Sequence, residues 1–564
     1  MFSKQESRPT PQKTLLLMAV GLTIACPAYA AVPPNSGTAF EGAKLPAIQQ
    51  PAGQAPRIIV EGQAPSTPDG GEKIPVKGFR LSGEPPLPTD ELLVLINHEA
   101  NKELTLSEFN RLAGNITQYL RQKGFLVAFA YIPAQDVKDG IVEIAVIPGK
   151  YGQIKVNGTA HINPDQIKTL LFAARPGSLI TREPLERALL LINDLSGVSA
   201  KATLTPGNAP GTADLVIDTA DTVKIAGAVY SDNWGNRYTG QTRYGVQVSI
   251  NNVSGNGDAF SLGGLTSGQD SNNYTFAYST PLGADGAKFE IKHSRVDYSL
   301  GDTFADIDAT GQATVTSYLI SYPFIRSRVF NLAGSMGYDA KHLRDDIASY
   351  GSYSPRSSGL WNIGLSGDFA DTWLNSATNF FSLTQSWGKL KINDAAALAD
   401  DIGNTNGSFT KTVLTYQRQQ YVASNLSFNF NFTGQLADKN LDSSEKLYLG
   451  GADGVRAFPQ GEASGDEGYK LTGEFRWRLP GLSSGKNSLY LNGFYDCGSV
   501  VVNKRPYSAD ANRRSLRGTG LGLLWMRDQD FAIRLDYAWK IGKEQAMTDN
   551  DRNGRLWLQG VKYF

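Results

Sequence analysis

The 564-residue chain carries 54 basic and 54 acidic side chains, 59 glycines and 10% aromatics. Balanced charge argues against bulk binding of nucleic acid or anionic lipid, and the length exceeds one ordinary domain, so two to four are expected. Abundant glycine and aromatics suit many strands and turns better than helical bundles.

Residues 1–30 read as a signal peptide. Lys4, Arg8 and Lys13 flank the apolar run Leu15–Ile24, and Ala28-Tyr29-Ala30 supplies the small-x-small pattern, so cleavage is expected after Ala30. A lipoprotein signal at Cys26 is the alternative, with Thr23 and Pro27 against it. Cleavage leaves Cys497 as the sole cysteine, so the mature monomer is expected to lack an internal disulfide. No later stretch approaches the ~20 apolar residues of a membrane helix. The exported chain is therefore soluble or crosses a membrane as strands.

Residues 31–72 hold seven prolines and no apolar periodicity, the composition of a tail or linker with room for a short plug helix within Thr38–Ala47. Residues 73–149 then predict a β-α-α-β-β unit. It has a strand Ile74–Leu81, a helix from Asp90 to about Ala100, a second helix opened by a Thr105/Glu108 capping box, and strands Ala128–Ile132 and Ile141–Ile147. Residues 150–221 repeat that order: a strand at Ile154–Asn157, helices opened by Asn163-Pro164 and Thr181, and strands Ala200–Leu204 and Ala213–Thr219.

From residue 222 to 564 strict alternation replaces helical periodicity. Leu426, Phe428, Phe430 and Phe432 alternate with Ser427, Asn429, Asn431 and Thr433. Tyr469, Leu471, Phe475 and Trp477 alternate with Lys470, Thr472, Glu474 and Arg476, and Phe531 to Trp539 repeats the pattern. Alternation alone fits a soluble sandwich or a lipid-facing barrel. Connection lengths separate them: tight links such as Pro281–Gly286 and Arg527–Asp530 alternate with long ones such as Arg344–Arg356, Leu390–Gly407 and Ala437–Gly468. Short turns on one rim and long loops on the other predict a membrane all-β fold, a sixteen-stranded antiparallel β-barrel ending on Phe564, preceded by two α+β modules.

Two motifs near the C-terminus carry the candidate site: Val455-Arg456-Ala457-Phe458 in the long loop 437–468, and Phe494-Tyr495-Asp496-Cys497-Gly498 on a strand. By parity Phe494, Asp496 and Gly498 share a face, and an aspartate on the lipid side is prohibitive, so Asp496 points into the lumen. The loop is long enough to bring Arg456 to it, with inward-facing Glu474 as a second acceptor.

Signal, proline-rich tail, two modules and barrel together resemble the two-partner secretion translocators (the TpsB family, ShlB- and FhaC-like). The resemblance spans nearly the whole mature chain. Its signatures, a V-R-G-[YF] loop tip and an F-x-D-x-G strand, are matched at Val455, Arg456, Phe458, Phe494, Asp496 and Gly498, with Ala457 in place of the usual glycine. The resemblance implies POTRA-like modules that capture an unfolded partner exoprotein in the periplasm, by β-augmentation on a sheet edge, and a barrel that exports it. It also implies that Arg456 and Asp496 lock the inward-folded loop, supported by Val455, Phe458, Phe494, Gly498 and Glu474. Phe564 becomes the C-terminal signal read by the barrel-assembly machinery. The expected setting is the Gram-negative outer membrane and its lipid, with residues 31–221 in the periplasm. The chain is expected to be a monomer without nucleic-acid partner, metal, cofactor or catalytic residue. The alternatives are a POTRA-plus-barrel insertase of outer-membrane proteins and a passive porin. At Ala457 an ordinary φ is expected, because alanine at positive φ is strained by roughly 1–2 kcal/mol.

Other patterns are weaker. Gly481-Leu482-Ser483-Ser484-Gly485 fits G-x-S-x-G, yet sits in a turn between strands, where a hydrolase elbow joins strand to helix. Asp549, Asp551, Asn553 and Gly554 imitate the start of a calcium loop, but Gly560 stands at the closing acid. His98, His161, His293 and His342 have no ligand spacing. Lys562, two before the end, replaces the apolar residue usual there and is expected to snorkel.

Overall fold

A computed structural model describes residues 34–43, 57–61, 72–137, 139–268 and 270–564. The signal-peptide and lipoprotein readings lie outside these residues.

The described chain begins with helix α1 (Ser36–Gly42), opened by a capping box in which the Asn35 side chain accepts from the Thr38 amide and the Thr38 hydroxyl accepts from the Asn35 amide. Strand β1 (Ile58–Val60) follows. The first module comprises β2 (Ile74–Val76), β3 (Gly78–Gly83), α2 (Thr89–Leu93), β4 (Lys102–Leu104), α3 (Leu106–Gln122), β5 (Phe129–Tyr131) and β6 (Ile141–Ile147). Thr105 and Glu108 form the reciprocal cap at α3, whose Phe109, Leu112, Ile116 and Leu120 bury against Val142, Ile144 and Val146 of the sheet. Two expectations need correction here. The strand Ile74–Leu81 is broken at Lys77, where β2 leaves to pair with β4 while β3 joins β6. The helix expected from Asp90 to about Ala100 stops at Leu93, and a 3₁₀ turn, Asn97–Glu99, takes over so that Leu92 and Ile96 both reach the core.

The second module comprises β7 (Lys150–Gly158), α4 (Pro164–Leu170), α5 (Arg182–Asn193), β8 (Val198–Pro206) and β9 (Thr212–Asp221). Its sheet order is β1-β8-β9-β7, so a strand from the proline-rich stretch lies parallel beside β8 and covers that edge. The linker reading gave no sign of it, because three residues are too few for alternation to show. This module is seated against the barrel's turns. Asp194 takes Arg326 through two 2.7 Å bonds, Arg187 donates to the Pro323 carbonyl at 2.9 Å, and Asn252 donates to the His161 carbonyl at 2.8 Å.

Sixteen antiparallel strands close into a barrel, from Ile225–Asp232 to Gly554–Tyr563. The seam between first and last strand is short, running from Ala228–Tyr563 to Asp232–Gln559. Phe564 extends it by exchanging backbone hydrogen bonds with Gly227 at 2.9 and 3.0 Å, and its ring covers the space a Gly227 side chain would fill. Lys562 pairs with Asp530 of the neighbouring turn. The long loop expected at Arg344–Arg356 is instead a continuation of two strands, Phe330–Ile347 and Ser352–Asp371, joined by residues 348–351. A 20-residue strand at ~3.3 Å per residue far exceeds an apolar band ~25 Å tall, so the hairpin projects beyond the membrane and its polar end reads as loop by composition. Trp361, Ile363 and Leu365 are exposed on the outer face. Inside the barrel lie α1 and the loop 438–466.

Candidate functional site

The loop enters the lumen as a small hairpin, Leu447–Tyr448 paired with Ser464–Gly465, that carries the tip inward. Its flanks are held by charge: Glu445 takes Lys341 at 2.6 Å and Lys411 at 2.7 Å, Asp442 takes Arg356 at 3.0 Å, and Lys446 takes Asp466 at 2.6 Å. The tip turns on itself through Val455 N–H to the Leu449 carbonyl at 2.7 Å and Phe458 N–H to the Val455 carbonyl at 3.0 Å. Val455, Ala457 and Phe458 are fully buried and pack with Leu449, Phe494 and Leu516. The tip is thus a folded object with its own core.

Arg456 stands at the centre, 2% exposed. Its Nε and Nη2 donate to Asp496 Oδ2 and Oδ1, both at 2.9 Å, and its backbone N–H donates to Oδ2 at 3.2 Å. Nη1 donates to Glu474 at 2.8 Å and to Asp536 at 3.1 Å. The Phe494 ring lies under the guanidinium, 3.3 Å from ring centroid to the central carbon. Two further cations balance the charge: Arg476 donates to Glu474 at 2.6 Å and Arg534 to Asp536 at 2.8 Å. The cluster therefore holds equal numbers of carboxylates and guanidinium groups, the condition under which buried charge is tolerated.

The sequence motifs point to Arg456, Asp496 and Glu474 and assign no role to Asp536, Arg476, Arg534 or Trp557. Parity on Phe531–Trp539 points Asp536 inward, so the signal existed without a reason to connect it to the tip. Trp557 Nε1 donates to the Arg456 carbonyl at 2.7 Å, from the closing strand. Trp234, just past the first strand, packs with Trp557 and the loop's Ala452. The tip therefore touches both sides of the barrel seam.

A set of inward glycines on the strand Arg513–Arg527 makes room for this. A Cβ on Gly518 would lie 2.6 Å from the Ala457 methyl, one on Gly520 2.3 Å from the Phe494 ring, and one on Gly522 2.0 Å from an Asp536 oxygen. Gly498 likewise clears Leu449, at 2.8 Å. Ala457 is not among the positive-φ residues, as expected, and its methyl occupies the hollow left by Gly518. Phe564 lies apart, on the opposite rim.

Helix α1 shares the lumen. Ser36 donates its N–H and hydroxyl to Asp345 at 2.7 and 2.9 Å, Arg243 donates to the Gly42 carbonyl while held by Asp232, and Asn273 donates to the Ala43 carbonyl at 2.5 Å. A Cβ on Gly37 would lie 2.4 Å from the Ser443 hydroxyl, so helix and loop meet nearly backbone to backbone.

The weaker patterns resolve structurally. Ser483 follows a 3₁₀ turn between strands and its hydroxyl accepts from the Leu489 amide at 3.0 Å, with no helix behind it. Asp549 is taken by Arg555 at 2.7 Å and Asp551 by Lys540.

The family description "Haemolysin secretion/activation protein ShlB/FhaC/HecB" matches residues 211–524, and "POTRA domain, ShlB-type" matches residues 74–149. Heme/hemopexin transporter protein HuxB of Haemophilus influenzae (strain 86-028NP) is 29% identical over 483 residues, 84% of each chain. Outer membrane transporter CdiB of Dickeya dadantii (strain 3937) is 20% identical over 444 residues, 76% of this chain and 77% of its own. Among solved structures, CdiB from Escherichia coli superposes with a TM-score of 0.68 at 18% identity, over 89% of this chain and 93% of that one. BamA from Haemophilus ducreyi lacking POTRA domains 1–3 gives 0.52 at 14% identity, over 87% and 100%. The barrel is thus an outer-membrane barrel, with its POTRA modules in the periplasm. The chain belongs to the ShlB/FhaC/HecB family of haemolysin secretion/activation proteins, the outer-membrane transporters of two-partner secretion.

Proposed function

We propose that this transporter captures a large secreted partner, unfolded, on its periplasmic modules and threads it through the barrel, with the Arg456 cluster holding the inward loop in its working position. The observation that carries this reading is Arg456 itself, a buried loop cation shared among Asp496, Glu474 and Asp536 from three different barrel strands. A passive porin has no need of such an anchor, nor of soluble modules before its barrel. The first module keeps β5 as an open sheet edge with Phe129 and Tyr131 exposed, suited to strand addition by an extended chain, whereas the β8 edge is covered by β1. The relative named for heme/hemopexin transport suggests a haem-linked secreted protein as first cargo to seek.

Deleting the gene and comparing secreted proteins tests the export reading. Loss of one large protein, restored by the intact gene, is the expected result. An unchanged secretome with depleted outer-membrane barrels would favour the insertase reading instead.

A further inference from the structure

The outer face of the barrel carries a groove of about 840 Å³ near the extracellular ends of four consecutive strands. Its membrane-side edge is aromatic. Tyr338, Trp361 and Trp387 stand side by side in register on neighbouring strands, Tyr338 and Trp361 with ring centroids 5.0 Å apart, and both tryptophans are exposed. The floor is Ala340 and Gly359, so small that the Tyr338 ring lies across Gly359. On the extracellular side, Lys389 and Lys391 project from the strand that carries Trp387, two and four residues further out, and His342 faces the same way two strands over. Strand geometry puts the lysines ~7 and ~13 Å beyond the tryptophan row and His342 ~10 Å to the side.

Aromatic rows of this kind mark the membrane–water interface, so the cations sit at the depth of the outer-leaflet headgroups. Lys389 and Lys391 are exposed, and neither ammonium group has a salt-bridge or hydrogen-bond partner among the described residues. Of the nearby carboxylates, Asp346 is paired with Arg344, while Asp438, which also lines the groove, accepts from the Thr410 amide at 2.8 Å and keeps its negative charge, so the two lysines stand against one unpaired carboxylate. The chain as a whole is charge-balanced, which makes this lipid-level excess of positive charge a local feature.

We propose that the groove is a binding site for the phosphorylated glucosamine headgroup of lipid A, the anionic glycolipid of the Gram-negative outer leaflet. Lys389 and Lys391 take phosphate oxygens as charge-assisted donors, His342 lies within reach of the sugar, and acyl chains run down past Tyr338, Trp361 and Trp387. Charge complementarity and leaflet select this occupant over a protein partner, which would have to displace lipid from the same belt.

The test uses the full-length protein purified in detergent and its thermal unfolding with added bisphosphorylated lipid A, dephosphorylated lipid A or phosphatidylglycerol. Bisphosphorylated lipid A is expected to raise the unfolding temperature of the wild type and of a Lys486→Gln control in a periplasmic turn. The Lys389→Gln/Lys391→Gln variant should need at least about tenfold more lipid for the same shift. No response of the wild type, an equal response of the double variant, or an equal effect of phosphatidylglycerol overturns the site. Equal responses of the wild type to phosphorylated and dephosphorylated lipid overturn it without any variant, which keeps the test decisive if the double variant fails to assemble.

Discussion

Arg456 and Asp496, forty residues apart in sequence, meet through two parallel hydrogen bonds of 2.9 Å, with the arginine amide adding a third to the same carboxylate. The fork-to-fork geometry is available to guanidinium and not to an ammonium group. Its consequence is that the loop tip has one seating, set by direction as well as by charge.

Arg456→Ala leaves Asp496, Glu474 and Asp536 buried without their shared cation, a loss of roughly 3–5 kcal/mol at the tip. Secretion should fall by more than tenfold while the barrel still reaches the membrane. Arg456→Lys should recover only part of it, since it cannot reproduce the fork. Unimpaired secretion by a correctly assembled Arg456→Ala protein would show that the cluster has no role in export.

The hollow at Gly518 should be exchangeable with the methyl at Ala457. Gly518→Ala alone brings two methyl groups into collision and should loosen the tip, read as increased protease cleavage within 438–466. Adding Ala457→Gly should restore protection. Failure of the pair to compensate would mean that the Gly518 position is sensitive for a different reason.

Trp557→Phe removes the donor to the Arg456 carbonyl and leaves that buried oxygen unpaired, at about 1–3 kcal/mol. Because Trp557 belongs to the closing strand, the effect should appear as a lower temperature for the gel-mobility shift of the folded barrel. A lock with no link to the seam would leave that temperature unchanged.

Helix α1 and the loop fill the lumen together, so removing residues 34–43 should raise ion conductance in planar bilayers severalfold. Equal conductance would mean that the loop alone closes the pore.

In the first module the Thr105 amide and hydroxyl both donate to the Glu108 carboxylate, and this holds its pKa below the ordinary carboxylate value. A depressed carboxylate stabilises the fold above its unfolded pKa, and the contribution is lost as pH falls through the lowered folded value. Thr105→Ala should increase hydrogen exchange in the first turn of α3 at neutral pH, and the difference from wild type should shrink in acid below the folded value. A constant difference across that range would exclude the carboxylate as its source.

Much of this is legible in the sequence. The Thr105/Glu108 cap, the repeat of two modules, the alternation of Leu426–Thr433 and the inward parity of Asp496 are local patterns, and local patterns survive in sequence because side-chain period follows backbone geometry. The inward face of Asp536 is legible by parity, but its place beside Arg456, like that of Trp557, depends on which strands become neighbours when the barrel closes. Gly518, Gly520 and Gly522 read as ordinary strand glycines until Ala457, Phe494 and Asp536 arrive from elsewhere to fill the space above them. Strand β1 and the projecting hairpin at Ile347–Ser352 were missed because three residues carry no period and polar strand ends resemble loops. The sequence by itself determined that there is a barrel, which residues face its lumen and that a loop arginine needs a carboxylate. Only the tertiary structure decided that three carboxylates share it, that the tip spans the seam and that Tyr338, Trp361 and Trp387 line up beside the Lys389/Lys391 pair, because those facts depend on contacts between residues that chain order keeps far apart.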